Sequence, residues 1–174
     1  MKLYFSPGAC SLSPHIVAKE AGIDLELAQV DLAKKQTKAG ADFTAVNAKG
    51  YVPTLQMDGG QVLTDGPAIV QFLADRKPQS SLAPAAGSME RYRLQEWLNF
   101  IASELHKGFG PLFRPTTPDA YKETVRESLA KRFDHLDKHF AKNDHLMGKQ
   151  FTVADAYCFT VLNWSNFVKL SMDE

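Results

Sequence analysis

Apolar and polar positions follow a strand rhythm in the first half of this chain and a helix rhythm in the second. Residues 2–5, Lys-Leu-Tyr-Phe, predict a short buried strand, followed by a Ser6-Pro7-Gly8 turn. A helix is predicted over residues 11–21, stopping at Gly22, and a second strand over 25–30. Residues 52–57 and 61–63 predict a hairpin that turns at Asp58-Gly59-Gly60. Ile69, Val70, Phe72 and Leu73 then predict a helix over 67–75, opened by Asp65-Gly66-Pro67, where an acid, a small residue and a proline suit a helix start. The order is β-α-β, a polar crossover, then β-β-α.

Residues 77–87 are rich in Pro, Ser and Ala, and strand patterning ends there, so a domain boundary is expected between residues 1–78 and 88–174. Beyond it, Leu94, Leu98, Ile101, Leu105 and Phe109 step by three and four, as do Val125, Leu129, Phe133, Leu136 and Phe140. These predict two long amphipathic helices, the second with Thr117-Pro118-Asp119 as a cap and a first-turn proline. Thr152-Val153-Ala154-Asp155 reads as a capping box opening a third, with Val153, Tyr157, Val161, Trp164 and Val168 as its buried stripe. The fold class expected is α/β plus all-α.

Composition narrows the partners. The chain has 174 residues, 44% of them hydrophobic, enough for a substantial core. Lys plus Arg and Asp plus Glu number 20 each, which leaves no broad basic face for nucleic acid. There is no apolar run of about 18 residues and no apolar signal segment, so a cytoplasmic protein without a membrane partner is expected.

Cys10 is the leading candidate for chemistry. It follows a strand and turn and precedes a helix, where free N–H groups and the helix dipole are expected to lower its pKa. Ser13 stands where a second cysteine would resolve a disulfide, so an external thiol is needed, and glutathione is the cytosolic candidate. The alternative is an inert buried thiol, which is the reading for Cys158 among Tyr157, Phe159 and Val161. Asp65-Gly66 can receive an ammonium on the carboxylate and a carboxylate on the backbone N–H, or Asp65 can simply cap the helix. Asn99, Ser103 and His106 or Lys107 form a polar row at helical spacing. His135 and His139 lie four apart, but Leu136 occupies the position of a zinc-protease glutamate and no third ligand presents itself, so no metal is expected.

Taken together, Tyr4, Ser6-Pro7-Gly8-Ala9-Cys10-Ser11, Val52-Pro53, Asp65-Gly66-Pro67-Ala68-Ile69, Trp97-Leu98-Asn99, Ser103-Glu104-Leu105-His106-Lys107-Gly108, Pro111-Leu112-Phe113 and residues 151–157 resemble the bacterial beta-class glutathione transferases. The resemblance spans essentially the whole chain. It implies a thioredoxin-like N-terminal domain with a mixed four-stranded sheet, a helical C-terminal domain, glutathione in the cleft between them, and a homodimer. It also implies that Val52, before a cis Pro53, pairs with the cysteinyl backbone of glutathione. Asp65 and Gly66 would hold the γ-glutamyl end, and Lys35 would approach the glycyl carboxylate. Asn99, Ser103, Glu104, Leu105 and His106 match positions near that site, some supplied across the dimer, and Cys10 and His106 are the expected catalytic pair. Three departures stand out: Phe5 replaces a common tyrosine, Asp65 replaces a glutamate, and the chain stops at Glu174, where relatives continue, so a truncated helical domain is expected.

The expected activity is conjugation of reduced glutathione to a small hydrophobic electrophile in detoxification, with thiol-disulfide exchange through Cys10 as a companion. Rival readings are a non-catalytic carrier of hydrophobic ligands, and a glutathione-dependent reductive dehalogenase or glutaredoxin-like enzyme.

Overall fold

The computed structural model describes residues 1–170, which fall into two compact units, Met1–Ala83 and Pro84 onward. The expected truncation at Glu174 lies outside the described residues.

In the first unit, strand β1 (Lys2–Phe5) leads through a tight turn into helix α1 (Leu12–Glu20). Gly8 makes that turn possible, because its φ of 74° is one that a residue with a Cβ rarely adopts. Four strands follow: β2 (Glu26–Asp31), β3 (Gln36–Thr37), β4 (Thr54–Gln56) and β5 (Val62–Thr64); helix α2 (Gly66–Asp75) comes next. The sheet has five strands in the order β3-β2-β1-β4-β5. Only β1 and β2 run parallel; Leu3 pairs with Leu27 on one side and, antiparallel, with Leu55 on the other.

The mixed sheet expected from sequence is therefore present, with five strands in place of four. The additional strand, β3, is two residues long and polar. It exists because Gln36 and Thr37 complete an antiparallel ladder with Asp31 and Val30, a pairing that no hydrophobic period announces.

Leu3 and Tyr4 are both buried and, as neighbours on a strand, face opposite sides of the sheet. Val17 of α1 and Ile69, Val70 and Leu73 of α2 are fully buried where these helices pack together. Tyr4 joins Val30, Phe43 and Val52 in a separate cluster, its ring 5.4 Å from that of Phe43. Each fully buried large apolar side chain contributes about 1.5–3 kcal/mol.

The second unit is helical: α3 (Met89–Phe100), α4 (Lys107–Phe109), α5 (Asp119–Phe140), α6 (Val153–Leu162) and α7 (Ser165–Val168). Ser88 caps α3, its Oγ accepting from the Arg91 N–H at 3.1 Å. Leu94, Leu98, Ile101, Leu105 and Phe109 are buried as the periodicity predicts. The helix carrying them is not regular, however: a π-helical turn, Ile101–His106, separates α3 from α4. Pro118 stands just outside α5 with ψ at 141°, so it precedes the helix and does not occupy its first turn. The third helix also ends earlier than expected, at Leu162, and Trp164 and Val168 belong to the α6–α7 junction and to α7.

The capping box at α6 is formed as predicted. Asp155 is buried; its Oδ2 accepts from the Thr152 N–H at 2.8 Å and the Thr152 hydroxyl at 2.9 Å, while Oδ1 accepts from the Leu146 N–H at 2.8 Å. Asp155→Ala leaves those donors without their carboxylate, so it destabilises the fold by about 3 kcal/mol in urea unfolding. A loss below about 1 kcal/mol contradicts this account.

Candidate active site

The β1–α1 turn is closed by Ser11. Its Oγ accepts from the Ser6 N–H at 3.1 Å and donates to the Ser6 carbonyl at 3.2 Å. That closure sets Cys10 one residue before the N-cap of α1, partly buried, with its S–H donating to the Val52 carbonyl oxygen at 3.1 Å. Val52 is buried and its bond to Pro53 is cis.

This environment corrects the expected electrostatics. The N–H groups of Cys10 and Ser11 do pull the thiol pKa down, as a helix start should, but burial outweighs them and the Asp65 carboxylate adds to the upward push. The Cys10 thiol is raised to about 11, so at neutral pH it rests as a hydrogen-bond donor and not as a thiolate. Cys158 is buried in the helical unit, and desolvation, with a smaller contribution from Asp155, pushes its thiol up to about 12.

Asp65 lies immediately before α2 with φ 77° and ψ 126°, a conformation costly for any residue with a Cβ. Its side chain makes no cap hydrogen bond, so the simple capping role is excluded. The carboxylate is exposed, with the Lys49 ammonium at 3.8 Å; that ammonium also donates to the Thr64 hydroxyl at 3.1 Å. Gly66 begins α2 and is buried.

Lys35 also has a positive φ, 55°. Its ammonium donates to the Gly50 carbonyl at 2.9 Å and lies 5.5 Å from the centre of the Tyr51 ring, next to Val52 in the chain. The first unit thus assembles a neutral thiol, a buried backbone carbonyl before a cis proline, an exposed carboxylate at a helix start, and a lysine held on the loop that leads to Val52. Phe5 ends β1 one residue before this turn.

The remaining predicted residues belong to the helical unit. Asn99 and Ser103 are exposed; the Asn99 amide donates to the Gln95 carbonyl and the Ser103 hydroxyl to the Asn99 carbonyl, both at 2.9 Å. The π turn interrupts the regular row drawn from them to His106. Glu104 Oε2 accepts two hydrogen bonds from Arg132 of α5, at 2.7 and 3.0 Å. Leu105 is fully buried, which gives its side chain a core role. His106 places Nδ1 2.6 Å from the Tyr157 hydroxyl oxygen and packs its ring against Trp164, centroids 4.8 Å apart. Sequence reading assigned Tyr157 only to the core.

His135 and His139 pack against Trp97, ring centres 5.9 and 4.8 Å away, and His139 Nε2 lies 3.1 Å from the His145 carbonyl. Among the described residues, no cluster of three or more His, Cys, Asp or Glu side chains has the arrangement of a metal site, and no helix is long and apolar enough to cross a membrane.

Comparison with known proteins agrees with this architecture. Residues 8–76 match the family described as glutathione S-transferase, N-terminal domain, and residues 100–174 match glutathione S-transferase, C-terminal domain. Glutathione S-transferase GstA of Escherichia coli O157:H7 is 50% identical over 99% of this chain and 86% of its own length. A sphingomonad glutathione S-transferase solved in complex with glutathione is 49% identical with a TM-score of 0.95, covering 99% of this chain and 86% of that one. The bacterial beta class enzyme of Sphingomonas chungbukensis is 44% identical, with the same TM-score and coverage. The chain belongs to the glutathione S-transferase family, among its bacterial beta-class members. Its first unit is the thioredoxin-like domain of that fold.

Two measurements check the site. Alkylation of Cys10, followed by peptide mass mapping, rises about tenfold per pH unit from pH 7 and levels off only near the thiol's value of about 11, because only the thiolate reacts. A plateau below pH 8 means the thiol is not held neutral. Asp65→Gly relieves the strained φ and loses only an exposed ion pair; after the entropic cost of glycine it stabilises the protein by about 1 kcal/mol in urea. A destabilised variant shows that the conformation is not strained.

Proposed function

We propose that this chain conjugates reduced glutathione to small hydrophobic electrophiles. The glutathione sulfur forms a thioether and expels a leaving group such as chloride. The observation that carries the reading is the Cys10 S–H held on the Val52 carbonyl. A thiol raised to about 11 is a poor nucleophile at neutral pH but a competent donor.

In this reading the cysteinyl N–H of glutathione takes over the Val52 carbonyl, and the Cys10 S–H turns to the glutathione sulfur. A donor aimed at a developing thiolate favours loss of the glutathione thiol proton to water. The thiolate electron pair then forms the new carbon–sulfur bond while the halide departs with its bonding pair. Asp65 takes the γ-glutamyl ammonium, the Gly66 N–H its carboxylate, and Lys35 the glycyl carboxylate. The strained backbone at Asp65 supports this, since strain of this kind persists where ligand contacts are made.

Asn99, Ser103, Glu104 and His106 are assigned to the same function from the helical unit. Leu105 contributes through its backbone alone, given its buried side chain. The reading includes a cytoplasmic homodimer. Scarcity of the Cys10 thiolate makes thiol-disulfide exchange the subordinate activity.

Turnover of a chlorodinitrobenzene with glutathione, followed by thioether absorbance and chloride release, tests the proposal. Cys10→Ala lowers kcat/KM about thirtyfold, the value of one hydrogen bond to a charged sulfur. Binding of the aromatic without chloride release identifies a carrier and overturns the reading.

A further inference from the structure

A positive charge stands beside the carboxylate at the start of α2. The Lys49 ammonium lies 3.8 Å from Asp65 and donates to the Thr64 hydroxyl at 3.1 Å. Both members of the pair are largely exposed, so as an ion pair it adds little to the stability of the fold. Lys49 is nonetheless held at both ends. Thr64, the last residue of β5, carries its head group, while its backbone N–H donates to the Asn47 side-chain oxygen at 3.1 Å. Asn47 is buried, and its amide nitrogen donates to the Tyr51 carbonyl and to the Thr54 hydroxyl, both at 2.9 Å. The loop that presents the Val52 carbonyl to Cys10 therefore also brings Lys49 to Asp65, and all of these residues belong to the first unit.

The start of α2 holds a carboxylate poorly by itself. A helix N-terminus offers several free backbone N–H groups, but Pro67 has none and Gly66 brings no side-chain donor. The Gly66 N–H alone leaves much of the charge on two carboxylate oxygens without a donor. Lys49 and Asp65 together present a positive and a negative point side by side. An α-amino acid end carries the opposite pair, an ammonium and a carboxylate on one carbon. We infer that Lys49 is a specificity-determining residue of the γ-glutamyl site, taking the α-carboxylate while Asp65 takes the α-ammonium. The site then selects a peptide whose first residue keeps both groups. A ligand with the ammonium alone is attracted by Asp65 and repelled by Lys49; a ligand with both groups is attracted by each. The inference rests on the placement of the γ-glutamyl end at Asp65 and Gly66 under the proposed function.

Calorimetric titration with two ligands tests it: glutathione, and γ-aminobutyryl-cysteinylglycine, which keeps the ammonium and lacks the α-carboxylate. The Lys49 side chain is exposed, so Lys49→Gln folds as the parent does. In that variant the Kd for glutathione rises about fivefold, and this loss shrinks in about 1 M salt. The Kd for the analogue, read by competition where its heat is small, stays within about twofold or falls. Equal losses for both ligands indicate a disturbed loop and overturn the inference. So does an unchanged Kd for glutathione, or a lower one, which makes Lys49 a competitor for Asp65. Asp65→Asn separates the two levels of the argument. If it leaves glutathione binding intact, or if the parent binds no glutathione, the proposed placement fails and the inference with it. If Asp65→Asn weakens binding and Lys49→Gln does not, the placement stands and only the role of Lys49 falls.

Discussion

The S–H of Cys10 and the carbonyl of Val52 come from segments 42 residues apart, and the first unit's candidate chemistry depends on their meeting. Ser11 makes the meeting reproducible by closing the β1–α1 turn on the Ser6 backbone. The turn then has one conformation, and the thiol one direction. Burial in that position costs the thiolate more than the nearby N–H groups return, with Asp65 adding to the cost. A helix start therefore holds a neutral thiol here, and a neutral thiol can donate a hydrogen bond but is a poor nucleophile.

The helical unit packs an imidazole among aromatic side chains. Asp155 fixes the start of α6 through Thr152 and Leu146, which fixes Tyr157, which meets His106 at the end of the π turn. Glu104, inside the same turn, is tied to Arg132 of α5. Close packing continues one residue past Lys107: a Cβ on Gly108 would come within 2.9 Å of the Leu129 side chain, so α4 and α5 approach more closely there than a larger residue permits.

Much of this was legible in the chain. The strand, turn and helix around Cys10 follow from a short apolar run, a Ser-Pro-Gly turn and a stop at Gly22. The core faces of α3 and α6, and Val125, Leu129 and Leu136 of α5, follow from steps of three and four, whereas Phe140 of the same series is exposed at the end of its helix; the capping box was readable residue by residue. Strand β3 was not, because two polar residues carry no period. The π turn was not either, since Leu94, Leu98, Ile101, Leu105 and Phe109 fit a regular helix equally well. Asp65-Gly66 could be read from its residues either as a ligand site or as a simple cap, and the cis bond of Val52-Pro53 was implied only by the family resemblance.

Local order and family membership were thus determined by the sequence itself, because hydrophobic period, turn residues and caps act over a few positions. The tertiary structure alone decided the neutral state of the Cys10 thiol, the exposed and strained state of Asp65, and the contact of His106 with Tyr157. Each of these depends on groups brought together from distant parts of the chain and on how far burial removes them from water. A one-dimensional pattern records neither distance nor desolvation, and those two quantities set the charge on a thiol.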